Sequence, residues 1–199
     1  MHYKLLGKLP EHVISQLAEM ILSRKKNIKG FQRIEFTDEI YNYLADLFVN
    51  TELKLQRTKD KSRWVQKAFY SDTGYVYPIH KDGLKCMSAL NIAVASNQGD
   101  WVRWYADEEI LPRSDLTVVS QDIGSTRNSK IIDIESIPFV EEFYPTTGDV
   151  YALDVDSFHT WKCNGPGPRI IVQTKFEEFP NFDHIARSLS IASFKYLIK

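Results

Sequence analysis

Two histidines, an aspartate and an arginine hold the residue types and spacing in this chain that could do chemistry. His80-Lys81-Asp82 is a His-x-Asp pair at the end of an apparent strand, where side chains two apart share a face and can converge on one ion. In a chain with five His and fourteen Asp, chance supplies about 0.35 such pairs, so the pair alone also reads as a surface turn. His159 follows within Phe158-His159-Thr160-Trp161, and Arg169 stands across the turn-rich Asn164-Gly165-Pro166-Gly167-Pro168. If that turn closes a hairpin, His159 and Arg169 lie nearly opposite on neighbouring strands, roughly 5 Å apart at Cβ. The two prolines make the register approximate, because neither donates to the ladder. A given His-to-Arg spacing of this kind arises by chance about once in twenty.

Arg169 opens an apparent buried strand at 169–176. Alternation puts Arg169, Ile171 and Gln173 on one face and Ile170, Val172 and Phe176 on the other. An arginine there is costly unless it finds an anion. A ligand carboxylate would match its fork in bidentate fashion; an internal ion pair to Asp149 or Asp154 would also satisfy it. Tyr75, Tyr77, Trp101, Arg103, Trp104 and Trp161 form an aromatic set with a cation among them, the composition of a ligand-pocket rim and equally of a barrel core. As substrate, a small metabolite, an amino acid or a peptide side chain all fit.

The elements that must position these groups are read from periodicity. The first fifty residues read as helical: Val13, Ile14, Leu17, Met20 and Ile21 recur at helical steps. A second helix starts at Thr37, an N-cap type, with Asp38 and Glu39 in its first turn and Ile40, Leu44, Leu47 and Phe48 as its stripe. From about residue 63 the pattern turns to short β runs at 63–70, 74–80, 87–95, 101–105, 138–144, 149–155, 158–163 and 169–176, punctuated by Gly, Pro, Asn and Asp. That spacing favours a sandwich, barrel or jelly roll over a parallel βαβ sheet. The end of the chain returns to helix, with Ile185, Leu189 and Ala192 on one side. The polar stretch 106–130 fits neither pattern and predicts a mobile lid. No repeat divides the chain, so a single domain is expected over 1–199, with a helical part at 1–62, a β core at 63–176 and a C-terminal helix at 177–199.

Composition excludes several classes. Hydrophobic residues at 43% and aromatics at 13% describe a folded chain, and a net charge of -1 leaves a nucleic-acid partner unsupported. Cys86 and Cys163 lack metal-knuckle spacing. No run of about 20 apolar residues could span a bilayer, and the start of the chain is no signal peptide, so a cytoplasmic setting is expected. No G-x-S-x-G elbow signals a serine hydrolase.

The order His80-x-Asp82, His159, Arg169 resembles the iron(II)/2-oxoglutarate-dependent dioxygenase superfamily, over about residues 63 to 176. Gly148-Asp149 and the run Met87-Ser88-Ala89-Leu90-Asn91-Ile92-Ala93-Val94 are similar to members of that group. The resemblance implies a mainly β (α+β) fold, a double-stranded β-helix or jelly roll with N-terminal helices packed on one side. It implies Fe(II) held by His80, Asp82 and His159, and 2-oxoglutarate gripped by Arg169, with release of succinate and CO2. Many members carry a serine two residues after the arginine; here Ile171 stands there, so another residue must complete the cosubstrate site. Tyr70 resembles a cosubstrate-contacting tyrosine of prolyl-hydroxylase-like members, and Asn91 in its apolar strand is a second candidate. Either could instead be a hydrogen-bonded core residue. Two rivals remain: a cupin-like metal enzyme that needs no Arg169, and a non-catalytic jelly-roll binding protein.

Overall fold

The computed structural model describes residues 1–27, 29–56, 66–82, 87–113, 119–120, 134–178 and 180–199. Among them the elements run β1 (Tyr3–Lys8), α1 (Glu11–Leu22), β2 (Phe31–Glu35), α2 (Asp38–Leu47), β3 (Lys67–Ser71), β4 (His80–Lys81), β5 (Ser88–Ala95), β6 (Trp101–Trp104), α3 (Asp107–Ile110), β7 (Val119–Ser120), β8 (Glu141–Phe143), β9 (Asp149–Asp154), β10 (His159–Lys162), β11 (Arg169–Thr174) and α4 (Phe182–Ser188). The fold is a sheet-rich α+β fold. The expected helices form: Val13, Ile14, Leu17 and Ile21 are buried on α1, and Ile40, Leu44 and Leu47 on α2, whereas Phe48 of the expected stripe stands just past the helix end in extended backbone. Thr37 caps α2 by accepting from the amide of Ile40 at 3.3 Å.

Strands β1 and β2 correct the all-helical reading of the N-terminal part. The hydrogen bonds of β1 go to β9, with Tyr3 opposite Leu153, and those of β2 go to β3. Such short strands are defined by distant partners, which local periodicity does not reveal. At the other end the expected long helix is the seven-residue α4, capped by Asn181. It stops at an extended Leu189 and gives way to a 3-10 turn at Ile191–Ser193. Ile185 and Leu189 are buried as expected, whereas Ala192 is exposed.

Six antiparallel strands form one sheet in the order β1-β9-β5-β11-β3-β2, and five form a second in the order β7-β4-β10-β6-β8. Alternation divides the larger sheet. Leu90, Ile92, Val94, Val150, Ala152, Ile170 and Val172 face a core shared with α1, α2 and α4. Ala89, Ala93, Tyr151, Leu153 and Ile171 turn the other way, onto Val102, Trp104, Phe143 and Trp161. Central strands covered on both faces explain the near-continuous apolar runs of β5 and β11. The smaller sheet's other face holds Ile79, Tyr105, Ile110, Ile137 and Phe158.

The expected hairpin between His159 and Arg169 is not formed. Strand β10 pairs with β4 and β6, whereas β11 pairs with β3 and β5, so the intervening turn crosses from one sheet to the other. The buried carboxylate of Asp100 holds this crossing, accepting from the amides of Asn164 at 2.8 Å and Gly165 at 3.3 Å. The Asn97 side chain donates to the Gly167 carbonyl at 3.0 Å. A Cβ at Gly165 would lie 1.8 Å from Cβ of Asn97, so only glycine fits there. Two prolines remove the donors that a tight ladder would need. The 74–80 run likewise keeps only the start of β4 in a ladder, with one isolated bridge from Val76 to Lys162. The expected lid at 106–130 falls largely outside the described residues; within it stand α3 and β7.

Candidate metal centre and the cavity around it

Strands β4 and β10 place His80 and His159 as direct antiparallel partners, so both imidazoles leave the same face, with ring centroids 4.2 Å apart. Each ring is oriented by the carbonyl two residues before it. Nδ1 of His80 lies 2.9 Å from the Pro78 carbonyl and Nδ1 of His159 2.9 Å from that of Ser157. A carbonyl only accepts, so each Nδ1 carries the proton and each Nε2 keeps a lone pair. Asp82 follows two residues after His80, its amide donating to the Val155 carbonyl at 2.9 Å. One carboxylate oxygen stands 3.5 Å from Nε2 of His80, and the other 3.6 Å from the Lys175 ammonium.

All three side chains are buried, and one ligand atom from each falls within 4.8 Å of the others. Burial alone would raise the Asp82 pKa, but the neighbouring His80 and the Lys175 charge hold it well below the usual carboxylate range. Burial, then the neighbouring His80, pushes His159 down to about 3, so it stays a neutral nitrogen donor. Two neutral imidazoles and a carboxylate on one side of an ion leave the other positions open, the donor set of non-haem iron sites.

The same cavity reaches Arg169, Asn91, Ile171, Gln173, Phe69 and Trp161. Arg169 is 2% exposed, and its guanidinium lies over the Trp161 ring at 4.6 Å. Its Nε has no hydrogen-bond partner among the described residues. The two internal partners left open by the sequence are engaged elsewhere. Asp149 accepts from Thr146 at 2.7 and 3.0 Å through Oδ2 and pairs with the Lys8 ammonium at 3.7 Å through Oδ1, and Asp154 accepts from the Asp156 amide at 3.0 Å and the Ser157 hydroxyl at 2.6 Å. Burial lowers the Arg169 pKa, the signature of a desolvated cation that an anion would stabilise. Ser71 Oγ, Asn91 Oδ1 and the Tyr151 hydroxyl are further buried polar atoms without hydrogen-bond partners among the described residues. Ser71 is the register partner of Arg169, and Tyr151 that of Asn91. Burial pushes the Tyr151 phenol up to about 12, which keeps it a donor.

The other residues singled out in the sequence divide. Tyr77 lines the cavity. Tyr70 points to the helix-covered core, donating to Asp72 at 3.1 Å with the Lys25 ammonium over its ring, because it alternates with the inward Phe69 and Ser71. Tyr75 packs on Phe31 and Trp161. Trp104 is core, its indole donating to the Asp154 carbonyl at 2.8 Å. Arg103 bonds Glu142 at 2.5 Å and Glu135 at 2.6 Å and stacks on Trp101, away from the cavity. Missed in the sequence were Arg33, Lys67 and Lys175 on the cavity wall, and Ser71 and Tyr151 near Arg169. Alternation from Leu153 would have turned Tyr151 inward; Ser71 and Arg33 needed the pairing of β2, β3 and β11.

No protein family's sequence profile matches this chain, and no curated protein matches it by sequence. Its fold is similar to that of HygX from Streptomyces hygroscopicus. The structure of HygX with nickel and 2-oxoglutarate bound aligns at a TM-score of 0.55 and 11% identity, covering 86% of this chain and 81% of HygX. The iron-bound form aligns at 0.56 and 11% identity over 86% and 80%. The form with nickel, 2-oxoglutarate and hygromycin B aligns at 0.51 and 10% identity over 86% and 81%. At such identities the likeness establishes a shared fold.

Proposed function

We propose that this protein is an Fe(II)/2-oxoglutarate-dependent oxygenase on a double-stranded β-helix core, hydroxylating a small molecule, an amino acid or a peptide side chain. One observation carries the reading: a buried arginine without an ion pair among the described residues shares a cavity with a His-Asp-His donor cluster. A cupin-like metal enzyme that dispenses with 2-oxoglutarate leaves that guanidinium unexplained. HygX, whose fold is similar, holds iron, or nickel with 2-oxoglutarate, in its own structures.

His80 and His159 would hold the iron through Nε2 and Asp82 through its carboxylate. When bound, iron and 2-oxoglutarate together supply oxidation by dioxygen, releasing succinate and CO2. The chain's own part is to position and to exclude water. Arg169 takes the distal carboxylate of 2-oxoglutarate in a bidentate fork, and Ser71 Oγ, Asn91 and the Tyr151 hydroxyl, near it on the sheet's inner side, offer further hydrogen bonds to the cosubstrate. Trp161, Phe69, Ile171 and Val102 line the space between with apolar surface. A reducing cytoplasmic setting, which keeps iron ferrous, suits this reading.

The test is anaerobic addition of Fe(II) and then 2-oxoglutarate. The wild type should develop a weak visible charge-transfer band, and Arg169→Ala should not at the same concentration. No band in the wild type overturns the assignment.

A further inference from the structure

The cavity wall is more basic than this chemistry requires. Among the described residues four cationic side chains line it, Arg33, Lys67, Arg169 and Lys175, against one carboxylate, Asp82. Arg169 is assigned to the cosubstrate, and Lys175 faces Asp82 at 3.6 Å. Arg33 and Lys67 are left over. They sit on the adjacent strands β2 and β3, where Arg33 pairs in register with Phe69 and Lys67 with Glu35, which makes them diagonal neighbours on one face.

Arg33 donates to the Tyr77 hydroxyl at 2.8 Å, and the Tyr77 ring lies 4.7 Å from that of His80. The basic pair is thus tied to the metal end of the cavity. It stands well apart from Arg169, whose register partner Ser71 is four residues along β3 from Lys67, roughly 13 Å of strand. Lys67 makes no ion pair among the described residues. Burial, then the charges of Arg33 and Lys175, pushes its ammonium down to about 8. Asp82 and Glu35 act on Lys67 in the opposite sense without forming an ion pair with it among the described residues, so the two neighbouring cations still repel each other and a further anion between them would relieve that.

We propose that Lys67 and Arg33 bind an anionic group of the substrate, a phosphate or a carboxylate, and so select anionic substrates for the metal centre. This rests on the function proposed above. The guanidinium supplies a planar fork and the ammonium a point charge, a pairing suited to either oxyanion. The same field raises the local concentration of an anionic substrate at the entrance.

The full chain, loaded anaerobically with Fe(II) and saturating 2-oxoglutarate, is titrated calorimetrically with inorganic phosphate and, separately, with acetate. The tighter of the two identifies the oxyanion. Lys67→Gln and Arg33→Gln should each weaken that anion by about tenfold, the scale of one charged hydrogen bond, while the charge-transfer band persists. Lys67→Arg should retain most of the affinity, and melting curves confirm that each variant is folded. Anion affinity unchanged in both glutamine variants, or abolished by saturating 2-oxoglutarate, overturns the proposal. Repeating the titration on metal-free Arg169→Ala separates the two readings. Lys67-dependent anion binding without any band in the wild type rejects the oxygenase but keeps the basic site. A band with Lys67-independent anion binding does the reverse.

Discussion

The five-stranded sheet reaches the cavity with strands of two to four residues, whereas the six-stranded sheet meets it with strands of five to eight. The short strands carry the two imidazoles, paired directly across one rung. The long strands carry the cations, Arg33, Lys67 and Arg169, with Lys175 just beyond the end of β11. A donor cluster on short strands is fastened by few ladder bonds, so a bound ion would cross-link β4 and β10. Arg169, buried on a long strand covered on both faces, is already fixed in place and awaits only its counter-ion, whereas Arg33 stands exposed on the edge strand β2. The proposed anion site thus lies on the sheet of long strands, and the proposed metal site on the one that a metal would stabilise.

The largest effect should come from breaking the short-strand side. The double variant His80→Ala/His159→Ala should lose stoichiometric iron, read by metal analysis after anaerobic loading. It should also lose any rise in melting temperature that iron gives the wild type. Retention of one iron per chain would refute the cluster as the metal site.

On the long-strand side, Arg169→Ala should weaken 2-oxoglutarate by roughly ten- to a hundredfold, the scale of a charged hydrogen bond and its bidentate partner. Iron affinity without cosubstrate should barely move, and Arg169→Lys should recover part of the loss. Arg169→Met should leave the apo protein as stable as the wild type or more so, since it removes a buried cation that has no ion pair among the described residues. A drop of ~3–5 kcal/mol, expected for breaking a buried ion pair, would show that the guanidinium has an internal partner after all.

A smaller effect appears with pH. Lys67 titrates at about 8 in the folded protein against an ordinary 10.5. Between those values the unfolded chain binds more protons, so this residue's contribution to stability rises with pH across that window. The groups acting on it are Arg33, Lys175, Asp82 and Glu35. Denaturant melts of Lys67→Gln from pH 7.5 to 10.5 should show a flatter rise than the wild type, and parallel profiles would count against an isolated ammonium. The smallest effect lies on the helix-covered side. Thr37→Ala removes a cap and should cost about 1 kcal/mol without altering iron or 2-oxoglutarate affinity, and a change in either would mean that the two faces of the large sheet are coupled.

Much of this was legible in the chain before any fold was known. The two-residue step from His80 to Asp82 puts both on one side of a strand. Alternation along β11 separates Arg169, Ile171 and Gln173 from Ile170, Val172 and Phe176, as observed. The stripes of α1 and α2 and the Thr37 cap follow from helical spacing. These are local periodicities, which a backbone of fixed geometry obeys wherever it ends up. Which strand lies beside which is not local. That β1 joins β9 and β2 joins β3, that Arg169 faces His159 from another sheet rather than across a hairpin, and that Arg33 and Lys67 meet at the metal end all depend on partners far along the chain. The inward or outward turn of Tyr70 depended on a register that the three residues around it do not encode, since a slip of one residue reverses every face.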